Sequence, residues 1–155
     1  MGRGFSLRYL IMKKEEFLCE NCQKKVPFSA FIGTRHRNHC PFCLWSKHVD
    51  FKESGDRKSK CQGLMKPIGL TLKKEKEKKY EKTKEGEIMI IHQCIKCGKI
   101  SLNRIARDDK EKEIIKVFEN SKNNISLLKK LKEMNIDLLT DKEKLFFRLF
   151  GKKNL

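Results

Sequence analysis

The sequence lacks any long apolar run, and hydrophobic residues are few along its whole length. No stretch approaches the roughly twenty apolar residues that a membrane-spanning helix needs, so no membrane anchor is expected. Only 38% of the 155 residues are hydrophobic while 37% are charged. This is little material for a conventional core in a chain that has room for one domain, or one domain with an appendage. A structural metal ion is a usual substitute for missing apolar burial in so small a unit.

Acidic residues are also scarce relative to basic ones. The chain has 20 aspartates and glutamates against 37 lysines and arginines, which leaves a formal net charge of +17. Such an excess suits a polyanionic partner, with nucleic acid the leading candidate and an acidic membrane surface the second. A genome rich in A and T would favour lysine and produce the same composition without any such partner.

The cysteines do not form an even set, which argues against a disulfide scaffold. There are seven, and six fall in C-x₂-C pairs, an arrangement that suits metal ligation better than bridging. The apolar stretch from Phe5 to Met12 is too short for a secretory signal and contains Arg8. We therefore expect a reduced, cytoplasmic protein. Met1–Ser6 also fits the loose myristoylation pattern, and Arg3 and Arg8 would suit a mitochondrial presequence.

Two of the C-x₂-C pairs have the spacing of a zinc ribbon. Cys19 and Cys22 form the first pair, and Cys40 and Cys43 form the second, after an interval of 17 residues. A C-x₂-C turn, or zinc knuckle, directs two thiolates at one metal, and two knuckles complete a tetrahedral site. The spacing predicts a four-thiolate zinc site.

The second knuckle lies in a stretch that has the signature of a known family. Arg37-Asn38-His39-Cys40-Pro41 resembles the RNHCP-domain family of small zinc-knuckle proteins. The similarity runs from about residue 17 to residue 109. Its other matching parts are Gly55-Asp56-Arg57, Cys61, Cys94-Ile95-Lys96-Cys97-Gly98 and Asn103-Arg104-Ile105-Ala106-Arg107-Asp108-Asp109. The resemblance implies a zinc-binding domain and says little about activity.

The third knuckle predicts a second zinc site. Cys94 and Cys97 supply two ligands, and the otherwise unpaired Cys61 is the obvious third. We choose His48 as the fourth, because His39 adjoins a ligand of the first site and His92 belongs to a predicted strand. The alternatives are His39, His36, His92 or an open position. Spacing alone also permits neighbouring knuckles to serve different metals.

The remaining pattern predicts an α+β fold: a small zinc-ribbon-like β domain with two zinc sites, followed by short helices. We divide the chain into a basic arm over residues 1–16, a zinc-binding domain over 17–109 and a helical extension over 110–155. Strands are predicted over 67–72 and 87–93, joined by the highly charged stretch from Lys73 to Glu85. Three helices are predicted from apolar spacing, and Thr140–Glu143 has the pattern of a capping box for the last. Their apolar faces must pack on one another, on the zinc domain or on a protein partner.

Five arginines are the predicted phosphate contacts. Arg104 and Arg107 would share a face on a helical turn, or would pair internally with Asp108 and Asp109. The lysines between Lys73 and Lys84 are predicted to contact phosphates more weakly and without regard to the nucleotide sequence. The predicted nucleic-acid-binding residues are Arg35, Arg37, Arg57, Arg104 and Arg107.

These features predict a non-catalytic zinc protein that binds structured RNA, with ribosomal RNA the expected partner. One alternative is a metal-dependent nuclease of the HNH type. It would use His48-Val49-Asp50 beside the knuckle, with oxygen ligands from Asp56, Asp108 and Asp109. The other alternative is a zinc-ribbon adaptor between proteins. The sequence does not decide whether those acids are catalytic.

Overall fold

The structure is a computed structural model that describes residues 16–27, 39–49, 58–74 and 85–151. Within these ranges it has two antiparallel sheets and three helices, which confirms the predicted α+β class. The small sheet pairs β1 (Glu16–Leu18) with β2 (Lys25–Pro27). The larger sheet has the strand order β3-β4-β5-β6, formed by Ser46–Lys47, Leu64–Lys74, Glu85–Cys94 and Ile100–Arg104.

The central hairpin of the larger sheet is longer than the sequence predicted. β4 and β5 pair from Met65 opposite Cys94 to Lys74 opposite Glu85, so both strands continue into charged residues. Cross-strand hydrogen bonds explain the extension, since the backbone pairs regardless of which side chains point to solvent. Residues 75–84, which hold most of the predicted lysine-rich connection, lie outside the described part of the chain.

Three helices follow the sheet. They are α1 (Glu111–Ser121), α2 (Ile125–Glu133) and α3 (Lys142–Phe150). The last is capped by Asp141, whose carboxylate accepts hydrogen bonds from the N–H groups of Glu143 and Lys144. The predicted capping box is therefore wrong, because Asp141 takes the capping position assigned to Thr140 and the residue three positions on is Lys144, which cannot return the hydrogen bond. No helix in the described ranges has both the length and the apolarity to cross a membrane.

The helices share their core with the larger sheet. Leu70, Ile88 and Ile90 point to one face of the sheet and pack with Phe118 of α1 and Leu145 of α3. A second apolar cluster on the other face joins Ile91 to Leu131 and Leu138. Ile90 and Ile91 are neighbours, so side-chain alternation sends them to opposite faces that are both covered. Two of the options left open are therefore observed, since the helices pack on the zinc domain and, in the same cluster, on one another.

The chain between α2 and α3 lies against β4. The N–H of Leu139 donates to the carbonyl of Leu70, and the Thr71 hydroxyl donates to the carbonyl of Asp137. A Cβ atom added at Gly69 would come within 2.7 Å of Leu138, so glycine permits this close approach. The domain boundary at 109/110 stays a prediction, but the two sides of it form continuous apolar clusters.

Candidate metal centres

The first metal centre joins two knuckles from different parts of the chain. Cys19 and Cys22 lie in the turn between β1 and β2, while Cys40 and Cys43 lie in the turn that precedes β3. The Sγ atoms of Cys19 and Cys43 are 3.7 Å apart, and those of Cys22 and Cys40 are 3.6 Å apart. Two thiolates on one tetrahedral zinc at about 2.3 Å each would be separated by about 3.8 Å. The donor geometry fits a zinc ion.

The second centre lies at one end of the larger sheet. Cys94 and Cys97 lie in the turn between β5 and β6, and His48 and Cys61 come from the connection between β3 and β4. The Sγ atoms of Cys61 and Cys94 are 3.6 Å apart, and Nδ1 of His48 lies 3.3 Å from Sγ of Cys97. The structure thus brings His48 to the three cysteines, and it does not exchange ligands between neighbouring knuckles.

The imidazole of His48 is oriented for ligation through Nδ1. Its Nε2 atom is buried and has no hydrogen-bond partner among the described residues. A Cβ atom added at Gly63 would lie 2.8 Å from Sγ of Cys94 and 2.7 Å from Cβ of Lys96. The chain therefore passes the thiolates at a distance that only glycine allows. Together with the first centre, these observations confirm the prediction of two zinc ions.

Two thiols of the first centre, those of Cys40 and Cys43, resist ionisation as long as no cation is present, whereas hydrogen bonds from the backbone of Lys24 and from neighbouring cysteines outweigh burial and lower the pKa of Cys22. Burial raises the pKa of Cys40 well above its usual value, and burial with the nearby Cys19 raises the pKa of Cys43 to about 11. Clustered thiolates repel one another, so the positive charge of zinc is what lets all four lose their protons. Zinc binding by this centre is consequently coupled to proton release.

Backbone hydrogen bonds favour the thiolate form of one ligand of the second centre, Cys94. Burial alone would raise the pKa of Cys94, but the N–H groups of Cys97 and Lys96 and the side chains of His48 and Cys97 lower it to about 6. The N–H of Cys97 lies 3.5 Å from Sγ of Cys94. A related contact occurs in the second knuckle, where the N–H of Phe42, two residues after the cysteine, lies 3.4 Å from Sγ of Cys40.

A left-handed residue follows the last cysteine of each knuckle and also Cys61. These residues have φ angles of 65°, 64°, 56° and 80°, and are Gln23, Leu44, Gln62 and Gly98. In each C-x₂-C knuckle the N–H of this residue donates to the carbonyl of the first cysteine. The sequence pointed to this conformation only at Gly98, because the other three positions hold residues that rarely adopt it.

The other two histidines of the described chain hold the knuckles in place. Nε2 of His39 lies 2.8 Å from the Asp109 carboxylate, which also accepts from the N–H of Ala106 at 2.7 Å. Nε2 of His92 donates to the carbonyl of Leu44 at 2.6 Å, and its Nδ1 lies 2.8 Å from the Asn103 amide. Burial lowers the pKa of His92 to about 3, so the ring is neutral. Both rings are therefore used away from the metals.

This buried network was missed in the sequence, although one signal of it was present. His92 continues the alternation of Ile88 and Ile90, which places it on the core-facing side of β5. Its partners lie far along the chain, and no local pattern connects them. His39 and Asp109 are separated by 70 positions.

The predicted phosphate contacts are only partly within the described chain. Arg104 ends β6 and Arg107 lies in the following turn, so the two do not share a helical face. Arg104 lies 3.8 Å from Glu87, and both side chains are exposed. Outside the described residues lie Arg35, His36, Arg37, Asp50, Asp56 and Arg57.

Comparison with protein families agrees with the zinc geometry. The RNHCP domain family model matches residues 14–115, which is more than half of the chain. This chain belongs to the RNHCP domain family. The match extends a few residues beyond the predicted limits of the resemblance and leaves the rest of the C-terminal tail outside the RNHCP domain. No curated protein and no solved structure gave a significant match.

Within this RNHCP domain, the three described residues of the signature have structural roles. Cys40 is a metal ligand, His39 contacts Asp109, and the carbonyl of Pro41 accepts from the N–H of Lys110. These contacts join the second knuckle to the chain between β6 and α1. The signature therefore marks the point where the first metal centre is attached to the larger sheet.

Proposed function

We propose that this protein binds structured RNA, on a ribosome or its precursor, and performs no chemistry of its own. The supporting observation is a surplus of exposed cations that carboxylates do not neutralise. Among the described residues, Lys25, Lys60 and Lys66 are exposed and have no ion-pair partner. Ion pairs engage Lys47, Lys74, Arg104 and Lys122.

The distribution of charge also favours an extended polyanion. Net charge is +7 over residues 1–60, +6 over 61–110 and +4 over 111–155, so no region carries the whole excess. Zinc-held knuckles keep such cations on a rigid backbone, which lowers the entropic cost of contacting phosphates. Free thiols at all seven cysteines suit a reducing compartment, and we propose the cytoplasm.

The nuclease alternative finds less support. His48 belongs to the second metal group, and Asp109 is buried against His39 and the backbone of Ala106. Neither is then available to activate water or hold a catalytic metal. Metal-dependent cleavage of RNA or DNA that disappears with Asp50→Ala would restore this alternative.

The adaptor alternative rests on the helices. Several large apolar side chains there are exposed, namely Ile125, Leu128, Met134, Phe147 and Phe150. Exposed apolar residues that lie together mark protein-binding surfaces in many proteins. A protein partner for the C-terminal helices therefore stays a prediction, and it is compatible with RNA binding elsewhere on the chain.

The test is RNA binding as a function of salt. Affinity for a labelled structured ribosomal RNA fragment should fall steeply with salt, because each neutralised phosphate releases counterions. Replacing Arg57 and Arg104 together by glutamine should reduce the slope of log affinity against log salt by about 1.5 to 2. Zinc content should stay at two ions per chain. Salt-insensitive binding, or no RNA binding, would contradict the proposed function.

A further inference from the structure

The third knuckle presents a large apolar side chain to solvent. Ile95 is 63% exposed, although it occupies a turn held by a metal group and by the hydrogen bond from its own N–H to the carbonyl of Leu64. Its backbone is therefore rigid while its side chain has no core to enter. An exposed isoleucine at a fixed position is available for contact with another molecule.

The chain segments beside this isoleucine contain lysines and no acids. Residues 58–66 and 93–102, which flank the second metal centre, contain five lysines and no aspartate or glutamate. In contrast, the sequence from Glu111 to Lys144 contains seven acids, so the helical end of the molecule has mixed charge. Among the described residues, the segments that flank the second metal centre are the more uniformly basic ones.

The sheet register places some of these residues on one face. Met65 is opposite Cys94, and Lys66 is opposite Gln93, so Lys66 and Gln93 lie on the face that points away from the buried Met65 and Cys94, while Ile95 follows Cys94 in the turn. Nζ of Lys96 donates to the carbonyl of Cys61 at 3.2 Å, which brings the segment containing Lys60 beside the knuckle. We call Lys60, Lys66, Ile95 and Lys96 the knuckle surface.

We infer that the knuckle surface is the place where this protein contacts unpaired nucleotides in an RNA loop or bulge. The lysines would bind phosphates of the strand, and Ile95 would contact the face of a base or ribose that is not stacked in a helix. Bases in loops can be splayed out and reached by side chains, whereas the deep groove of an RNA duplex hides them. This inference rests on the RNA binding proposed above.

The charge contribution is tested by a matched pair of triple variants. Lys60→Gln, Lys66→Gln and Lys96→Gln remove three charges from the knuckle surface. Lys112→Gln, Lys116→Gln and Lys129→Gln remove three exposed charges from α1 and α2. With a labelled RNA hairpin, the first variant should bind at least about 10-fold more weakly at physiological salt and lose about 2 to 3 from the salt slope. The second should change affinity less than about 3-fold.

The contribution of Ile95 is tested with Ile95→Ala and two RNAs. One is a hairpin with a large loop, and the other is a blunt duplex of the same length. The variant should lose about 5-fold or more in affinity for the hairpin and little for the duplex, since only the loop offers unstacked bases. Zinc content and the unfolding midpoint should match those of the original protein, because the side chain is exposed.

The outcomes separate this inference from the proposed function. If the original protein binds no RNA, or if it captures only a protein partner through this surface, both are overturned. If it binds RNA in a salt-dependent way but the two triple variants lose affinity equally, only the knuckle surface is overturned. Equal effects of Ile95→Ala on hairpin and duplex would overturn the contact with unpaired nucleotides.

Discussion

The two metal centres use similar knuckles but are built into the molecule differently. The first has four cysteines, two of them buried, and lies in a small apolar cluster of its own with Val26. The second combines His48 with three cysteines, and one of these, Cys97, is exposed. The strands that carry its ligands continue into the sheet on which the helices pack. The first centre therefore has an apolar cluster of its own and reaches the principal core only through its second knuckle and Leu44, while the second centre closes one end of the larger sheet.

This difference implies different routes of metal loss. A chelator can approach a zinc ion from the side of an exposed ligand, and a histidine ligand dissociates as a neutral group. The first centre offers no histidine, and both Cys19 and Cys40 are buried. The first centre should hold its metal for longer even if the two affinities are similar.

The largest expected effect is the loss of zinc itself. Elemental analysis should find two zinc ions per chain, and a chromogenic chelator should remove them in a fast and a slow phase. Cys97→Ala should abolish the fast phase, and Cys40→Ala should abolish the slow one. Structural zinc sites contribute on the order of 10 kcal/mol to folding, so full removal should unfold the zinc-binding part of the chain. A single zinc ion, or loss of the slow phase in the Cys97 variant, would contradict the comparison.

A smaller effect should follow from a change far from either metal. Phe118 is fully buried between α1 and the larger sheet, and Phe118→Ala should cost about 3 to 5 kcal/mol in the free energy of unfolding. The fast phase of zinc release should accelerate more than the slow phase, because the second centre is part of that sheet. Urea unfolding and zinc release measure the two effects.

Phe147→Ala is the matched control for Phe118. That ring is 49% exposed, so its loss should cost less than about 1 kcal/mol in the free energy of unfolding.

Deleting the chain after Lys110 should expose the apolar face of the sheet and reduce solubility. A soluble truncated protein that keeps both zinc ions would show instead that the helices are an independent appendage.

Substitution of two glycines near the second centre distinguishes the effect of atomic crowding on zinc binding from the effect of backbone strain. Gly63→Ala should weaken zinc binding there at least about 10-fold, because its Cβ atom would lie 2.8 Å from Sγ of Cys94. Gly98→Ala meets no atom within 4 Å but must adopt a φ of +80°, so it should cost about 1 kcal/mol. Zinc titration and thermal unfolding measure the two. Equal loss of zinc affinity in both variants would show that backbone conformation, and not crowding, limits the second centre.

The ligands could be predicted from the sequence because metal geometry leaves a local trace. A C-x₂-C turn brings its two thiolates together within one knuckle, and Cys61 was the only cysteine left over. The choice of His48 followed by elimination, since His39 and His92 had positions that suggested other roles. In the structure His39 contacts Asp109, and His92 contacts the carbonyl of Leu44 and the side chain of Asn103.

The shared core could not be predicted in the same way. Apolar periodicity identified three helices, yet nothing in the spacing of Ile114, Phe118 or Leu145 specifies which surface they cover. That choice depends on the shape of the sheet and on contacts between distant segments, such as Leu139 with Leu70. Gly63 and Gly69 likewise read as ordinary turn or strand glycines until the atoms beside them are known.

The smallest expected effect concerns the backbone of the first centre. Gln23 has a φ of 65°, a conformation that glycine adopts without strain and glutamine does not. Gln23→Gly should stabilise the protein by up to about 1 kcal/mol, reduced by the loss of the exposed hydrogen bond from its side chain to the carbonyl of Glu20. The gain should appear as a slower release of zinc from the first centre only, because β1 and β2 are not part of the larger sheet. Gln62→Gly, at a φ of 56° beside Cys61, should act on the fast phase instead. If either variant changed both phases equally, the two centres would be coupled through the fold, and the contrast between them would have to be given up.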